Sequence, residues 1–270
     1  MGSGKGRTRR AQKVSFSGKK KARPRLRYSL NENTGGLTVA LGDFQVEERG
    51  RYCQAGVQKI WVSDAYKDGA QIAAEFATLL RETPVRLREA LGEVFFLGSY
   101  APVLDNVKAG AACVEGQDLF VWRVAQNNDQ PGVNGSVLCH ELAHAAGDDE
   151  GGPPRDLAKA WRRARVQDQR HSSQLVTSLT NGERVGTEVK FTKARGGPTF
   201  LLGEPWLTTY AEAHADESGQ NEDWASAVGY CVEWPKFPNG VVKLQEHGFV
   251  FADWYPNRAR IIEEFLQNDA

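Results

Sequence analysis

The stretch Ser136-Val137-Leu138-Cys139-His140-Glu141-Leu142-Ala143-His144-Ala145-Ala146-Gly147 restricts the possible folds of this chain more than any other. It contains H-E-x-x-H on what the pattern predicts to be a short helix. Asn134 or Ser136 can cap its start, Leu138, Leu142 and Ala145 supply apolar positions, and Gly147 suits a left-handed stop. Histidines four apart stand one above the other on one helical face, so both imidazoles can reach a single cation. Glu141 leaves the helix beside them, close enough to take a proton from a water on that cation but poorly placed as a third ligand. Two nitrogens for the metal and one carboxylate for the water is the donor pattern of zinc hydrolases. With five His and twenty Glu in 270 residues, chance supplies this motif in roughly one such chain in a hundred or fewer. The expected ion is Zn2+.

A zinc site of this kind needs a third protein ligand, and two candidates compete. Glu150 falls where the H-E-x-x-H-x-x-G-x-x-(H/D) enzymes, the metzincins, carry theirs, and Gly147 fits that pattern. Glu150 itself departs from it. Metzincins also resemble one another in a methionine turn beneath the metal, whereas the only methionine here is Met1. The other candidate is Glu222, in Asn221-Glu222-Asp223-Trp224-Ala225-Ser226-Ala227-Val228-Gly229-Tyr230-Cys231-Val232. Ala225, Val228 and Val232 recur at helical spacing with Trp224 and Cys231 beside them, which puts Glu222 in the first turn of a helix.

Glu222-Asp223-Trp224-Ala225, with Thr208-Thr209-Tyr210-Ala211 upstream, resembles the second motif of gluzincin peptidases related to anthrax lethal factor. The resemblance spans roughly residues 80 to 266, and H-E-x-x-H is its specific part. It implies an α+β, zincin-like fold: a small mixed twisted sheet, an active-site helix and a mostly helical second lobe. It implies the ligand set His140, His144 and Glu222, with Glu141 as general base in peptide-bond hydrolysis. In that architecture the last strand lies at the sheet edge and holds an extended peptide, which assigns the edge to residues 118–124. The Pro256-Asn257-Arg258 start of the final helix also resembles endings that follow the second motif in these peptidases. A tetrahedral oxyanion would need a neutral donor, for which Tyr210 is the first candidate and His214 the second. Asp223 is a candidate to orient a ligand imidazole.

The rest of the chain sets the frame. A length of 270 residues with 40% hydrophobic content allows one sizeable core, or one core with a smaller lobe. No run approaches the roughly eighteen apolar residues of a membrane span, and no apolar segment follows the basic start. Cys53, Cys113, Cys139 and Cys231 stand apart with no C-x-x-C pairing, so a reduced, cytoplasmic chain is expected rather than a disulfide framework.

Zero net charge hides an uneven distribution. Residues 1–27 hold eleven Lys and Arg and no acid, leaving 23 basic against 34 acidic residues, a net charge of −11, on the remainder. Residues 1–30 are therefore expected to be a basic disordered tail, and 31–270 the folded domain. Residues 1–27 could bind nucleic acid or another polyanion through phosphate contacts, or dock on the acidic body. Phe16 and Tyr28 are too few for a base-stacking platform. An alternative reading makes this tail the working part of a structural or nucleic-acid-associated protein with a vestigial zinc site.

Within the folded part, residues 37–41, 57–62, 93–97 and 118–124 read as strands. Residues 70–80 read as a helix. Thr83 is expected to cap a second, short helix with Pro84 at its first position and Gly92 beyond its end. Residues 155–169 read as a charged helix with Leu157, Ala160 and Trp161 inward. Residues 185–193 and 199–202 read as a hairpin, an insertion over 185–203 between the two metal motifs.

Overall fold

The structure is a computed structural model that describes residues 26–55, 58–104, 107–108, 112–124, 130–179, 188–190, 199–201, 204–208, 211–212, 219–233 and 251–267. Three strands open the fold as an antiparallel meander: β1 (Leu26–Asn31), β2 (Gly36–Leu41) and β3 (Phe44–Ala55). Leu41 pairs with Phe44 across a two-residue loop, and Gly42 enters it at φ 61, a conformation that glycine adopts without strain. Strand β1 begins inside the stretch expected to be disordered. Leu26 buries its side chain there, so residues 26–30 belong to the sheet despite their basic surroundings.

Strand β3 is long enough to serve two partners. Its first half pairs with β2, and Gly50–Ala55 pair with β4 (Gln58–Ser63). From β4 the chain crosses through α1 (Gly69–Glu82) and α2 (Val85–Glu89) to β5 (Val94–Tyr100), which lies parallel to β4. Asp68 caps α1 by accepting the Gln71 amide. Thr83 does not cap α2. Its hydroxyl turns back to the Leu79 carbonyl at the end of α1, and Pro84 takes the N-cap position of α2.

A small hairpin, β6 (Val103–Leu104) with β7 (Val107–Lys108), precedes β8 (Ala112–Glu115), β9 (Asp118–Val124) and β10 (Gln130–Pro131). Strand β9 lies parallel to β5, and β8 and β10 pair antiparallel with its other side. The mixed sheet therefore runs β1-β2-β3-β4-β5-β9-β10, with β8 also on β9. This corrects the edge assignment. Residues 118–124 are interior, and β8 and β10 form that margin among the described residues. The physical reason lies in the side chains: Leu119 to Trp122 are fully buried on both faces, which an open edge does not provide.

Burial on both faces also explains the continuous apolar runs of the central strands. Ile60, Val62, Val94, Phe96, Leu119 and Val121 pack with the helices, whereas Trp61, Phe95, Leu97, Phe120 and Trp122 pack with Leu26, Leu37, Val39 and Leu41. The meander thus folds over the back of the main sheet. Phe95 stacks on Phe120 at 4.9 Å and 12°, an arrangement that contributes about 0.5–1.5 kcal/mol beyond its burial.

The helical side holds α3 (Gly135–Ala145), α4 (Ala158–Leu179), α5 (Gly219–Glu233), α6 (Phe251–Trp254) and α7 (Pro256–Gln267). Helix α4 starts later and runs longer than the sequence suggests. Trp161 and Ala164 are buried and Leu157 packs against the core, but Ala160 points to solvent. The hairpin reading holds in part, since β11 (Glu188–Lys190) and β12 (Thr199–Leu201) pair antiparallel. Among the described residues, Cys53, Cys139 and Cys231 form no disulfide with one another. Among the described residues, no helix is long and apolar enough to cross a membrane.

Candidate metal centre

The first half of the site is built on α3. Asn134, rather than Ser136, caps it by accepting the Val137 amide at 2.9 Å. Leu138, Cys139, Leu142 and Ala143 are fully buried, which turns His140 and His144 toward the opposite, partly open face. Gly147 is not the left-handed stop. A Cβ there would collide with the Gly152 carbonyl oxygen, and the left-handed residue is Gly151, at φ 79. Its carbonyl lies 2.7 Å from Nδ1 of His144. A proton on Nδ1 donates to that carbonyl, which leaves the Nε2 lone pair for a cation.

The second half comes from α5, which approaches α3 at a glycine. A Cβ on Gly229 would lie 2.9 Å from the Ser136 carbonyl oxygen and 3.4 Å from the Cβ of His140. That close approach carries the first turn of α5 to the imidazoles. Glu222 Oε2 stands 3.4 Å from His140 Nε2 and 3.6 Å from His144 Nε2, with the carboxylate buried. The two imidazole rings meet edge to face, 4.9 Å apart. His140, His144 and Glu222 each offer a ligand atom, and these atoms lie within 4.8 Å of one another. The three residues could hold a metal ion.

The spacing is compatible with a shared ion. Donors at about 2.0–2.2 Å from a tetrahedral ion stand about 3.3–3.6 Å apart, which matches the 3.4 and 3.6 Å separations of Glu222 Oε2 from the two imidazoles. A direct N–H···O bond would instead draw the atoms to about 2.7–3.2 Å. Two imidazoles and one carboxylate form a donor set suited to a divalent first-row metal. No family model, curated protein or solved structure matches the chain.

Glu150 lies outside the cluster, its side chain in solvent. Its loop is nevertheless tied down, contrary to the freely solvated run that its composition suggests. Asp148 Oδ1 accepts the Glu150 and Gly152 amides, and the Glu150 carbonyl accepts Nδ2 of Asn221 at 2.8 Å. The backbone of this loop serves His144 and Asn221, and its carboxylates do not enter the site.

Glu141 is buried on α3. Burial pushes its carboxyl above the ordinary range, while His140, His144 and a backbone hydrogen bond with Val114 of β8 oppose that rise. Burial likewise works to raise Glu222, but His140 and His144 outweigh it and hold the carboxyl well below the usual value. His144 shows the complementary effect: burial disfavours its charge, yet the adjacent Glu222 raises it to about 9. The two carboxyls thus favour positive charge among these groups.

Asp223 does not orient a histidine. It is fully buried, accepts the Leu207 amide at 2.8 Å and faces Arg258 at 3.4 Å. Tyr210 and His214 lie outside the described residues. Their neighbour Leu207 is held at the same end of α5 as Glu222 by that bond to Asp223. Sequence reasoning missed the parts played by Gly151, Asn221 and Val114. Only Gly151 carried a signal, as one of the glycines that follow the motif.

Proposed function

We propose that the chain is a zinc metallopeptidase of the gluzincin type. The observation that carries this reading is the 3.4 and 3.6 Å separation of Glu222 Oε2 from the two imidazole nitrogens. His140, His144 and Glu222 would hold the ion and leave a coordination position for water. Bound zinc supplies a Lewis acid that makes this water acidic and polarises a substrate carbonyl. Glu141 accepts the proton of the attacking water and delivers it to the departing amine. The upward push that burial gives its carboxyl is the direction a general base requires. Tyr210 or His214 supplies the donor for the oxyanion.

The fold supports the zincin-like reading through its order. A sheet with parallel central strands leads into the H-E-x-x-H helix, and the glutamate follows on a later helix. An extended peptide would lie along β8 rather than β9, because β8 forms the margin beside α3 and bonds Glu141 through Val114. The basic segment ahead of β1, residues 1–25 with ten Lys and Arg, would contact nucleic acid or another polyanion.

The test is cleavage of a mixed peptide library by the full chain. Hydrolysis abolished by a chelator and restored by stoichiometric zinc is the expected result. Cleavage indifferent to the chelator would remove the metal from the reaction.

A further inference from the structure

Four consecutive residues at the start of α5 each reach a different part of the molecule. Asn221 bonds the loop that holds His144, Glu222 meets both histidines, Asp223 turns into the core, and Trp224 Nε1 donates to the Ala143 carbonyl at 3.2 Å. Three of these contacts fix α5 against α3 or its loop. The fourth runs the other way and is fully buried. Asp223 and Arg258 are both fully excluded from solvent, 3.4 Å apart.

Arg258 is itself fixed from several sides. Its backbone amide donates to Asp168 Oδ2 at 2.9 Å, so a carboxylate from α4 caps the first turn of α7. The Asn257 amide donates to the other oxygen of Asp168 at 3.0 Å. The guanidinium donates to the Pro205 carbonyl at 2.7 Å and lies 5.3 Å from the Tyr255 ring centre. Asp223 adds the Leu207 amide at 2.8 Å. A buried chain of charge thus joins α4, α7, the 204–208 segment and the first turn of α5, next to Glu222.

A metal ligand has to be held to within about half an ångström of its working position by groups that are themselves immobile. Glu222 meets the two histidines of α3. Its neighbour Asp223 makes the connection to α7, and the backbone between them transmits the constraint. We infer that Asp223 and Arg258 are positioning residues for Glu222, setting zinc affinity without touching the ion. The inference rests on the proposed zinc centre.

The zinc dissociation constant, read by competition with a fluorescent chelator, tests it in the full chain. Asp223→Asn keeps the shape of the side chain and removes its charge. It should weaken zinc binding 10–100-fold, the effect expected for a group that orients a ligand. Phe95→Leu, on the far face of the sheet, serves as a stability control and should lower the melting temperature with zinc affinity unchanged. The double variant Asp223→Asn/Arg258→Gln removes both charges of the buried pair together, so it keeps the test decisive if the single variant does not fold. It should also bind zinc at least tenfold more weakly than wild type. Wild-type affinity in both Asp223 variants, or an equal loss in Phe95→Leu, would overturn the positioning role alone. Wild-type protein that takes up no zinc would overturn the metal centre and this inference with it.

Discussion

Glu141→Gln should lower the rate of peptide hydrolysis by about 10²–10⁴-fold with zinc fully retained. The amide matches the carboxylate in shape and can still accept the hydrogen bond from Val114, so the sheet margin and α3 should not move. What it cannot do is take a proton. The sign of the accompanying stability change is also fixed. Burial disfavours a charge at position 141 and outweighs the opposing pull of His140 and His144, so removing it should leave the metal-free variant at least as stable as the parent. Loss of activity with retained or increased stability is the pattern of a functional group held in an unfavourable place. Metal analysis, thermal melts and turnover on a library-derived peptide read the three outcomes together. Undiminished turnover would take Glu141 out of the chemistry.

Arg258→Met should destabilise the fold by about 3–5 kcal/mol, because it strands a buried carboxylate rather than removing a pair. For a chain of this size the melting temperature should fall by roughly 6–20 °C. Methionine fills most of the volume among Trp161, Tyr255 and Asp223, so the loss measures charge more than packing. The pH dependence identifies the source. Burial raises Asp223 above its usual value and Arg258 opposes the rise. A carboxyl raised on folding makes the folded state take up a proton, so stability declines as pH climbs through the raised value. Without Arg258 that decline continues to higher pH and its total is larger. The deficit of the variant should be small near pH 4, where Asp223 can be neutral, and full at pH 8. Urea titrations at both values check this, and an equal deficit at each would attribute the loss to packing.

How far the sequence reveals this arrangement depends on whether a feature is local. The H-E-x-x-H helix and the Glu222 helix are legible because periodicity and caps are written within a dozen residues. Strand 118–124 is legible in its limits for the same reason. Its place in the sheet is not, because β8 and β10 are four and two residues long and add little pattern. Gly116-Gln117 was the available clue to the β8–β9 turn, with Gly116 at φ 63. Strand β1 is hidden by charge: Arg27 is exposed while Leu26 is buried, and composition averages the two. Asp223 illustrates the limit most clearly. An acid in the first turn of a helix suits the helix dipole wherever it points, and only tertiary structure shows that it turns away from the histidines toward Arg258. The grouping of Glu222 with the two histidines was within reach because the apolar stripe of α5 anchors Glu222 to the core, while Glu150 follows the end of α3.

The centre itself is tested most directly by zinc content after dialysis in the full chain and in two glutamate variants. His140, His144 and Glu222 present three donors within 4.8 Å of one another, and Glu150 stands in solvent. Wild type should retain one zinc per chain, Glu150→Ala should retain the same, and Glu222→Ala should lose it. Full zinc in Glu222→Ala with loss in Glu150→Ala would contradict the account and move the third ligand into the loop after α3.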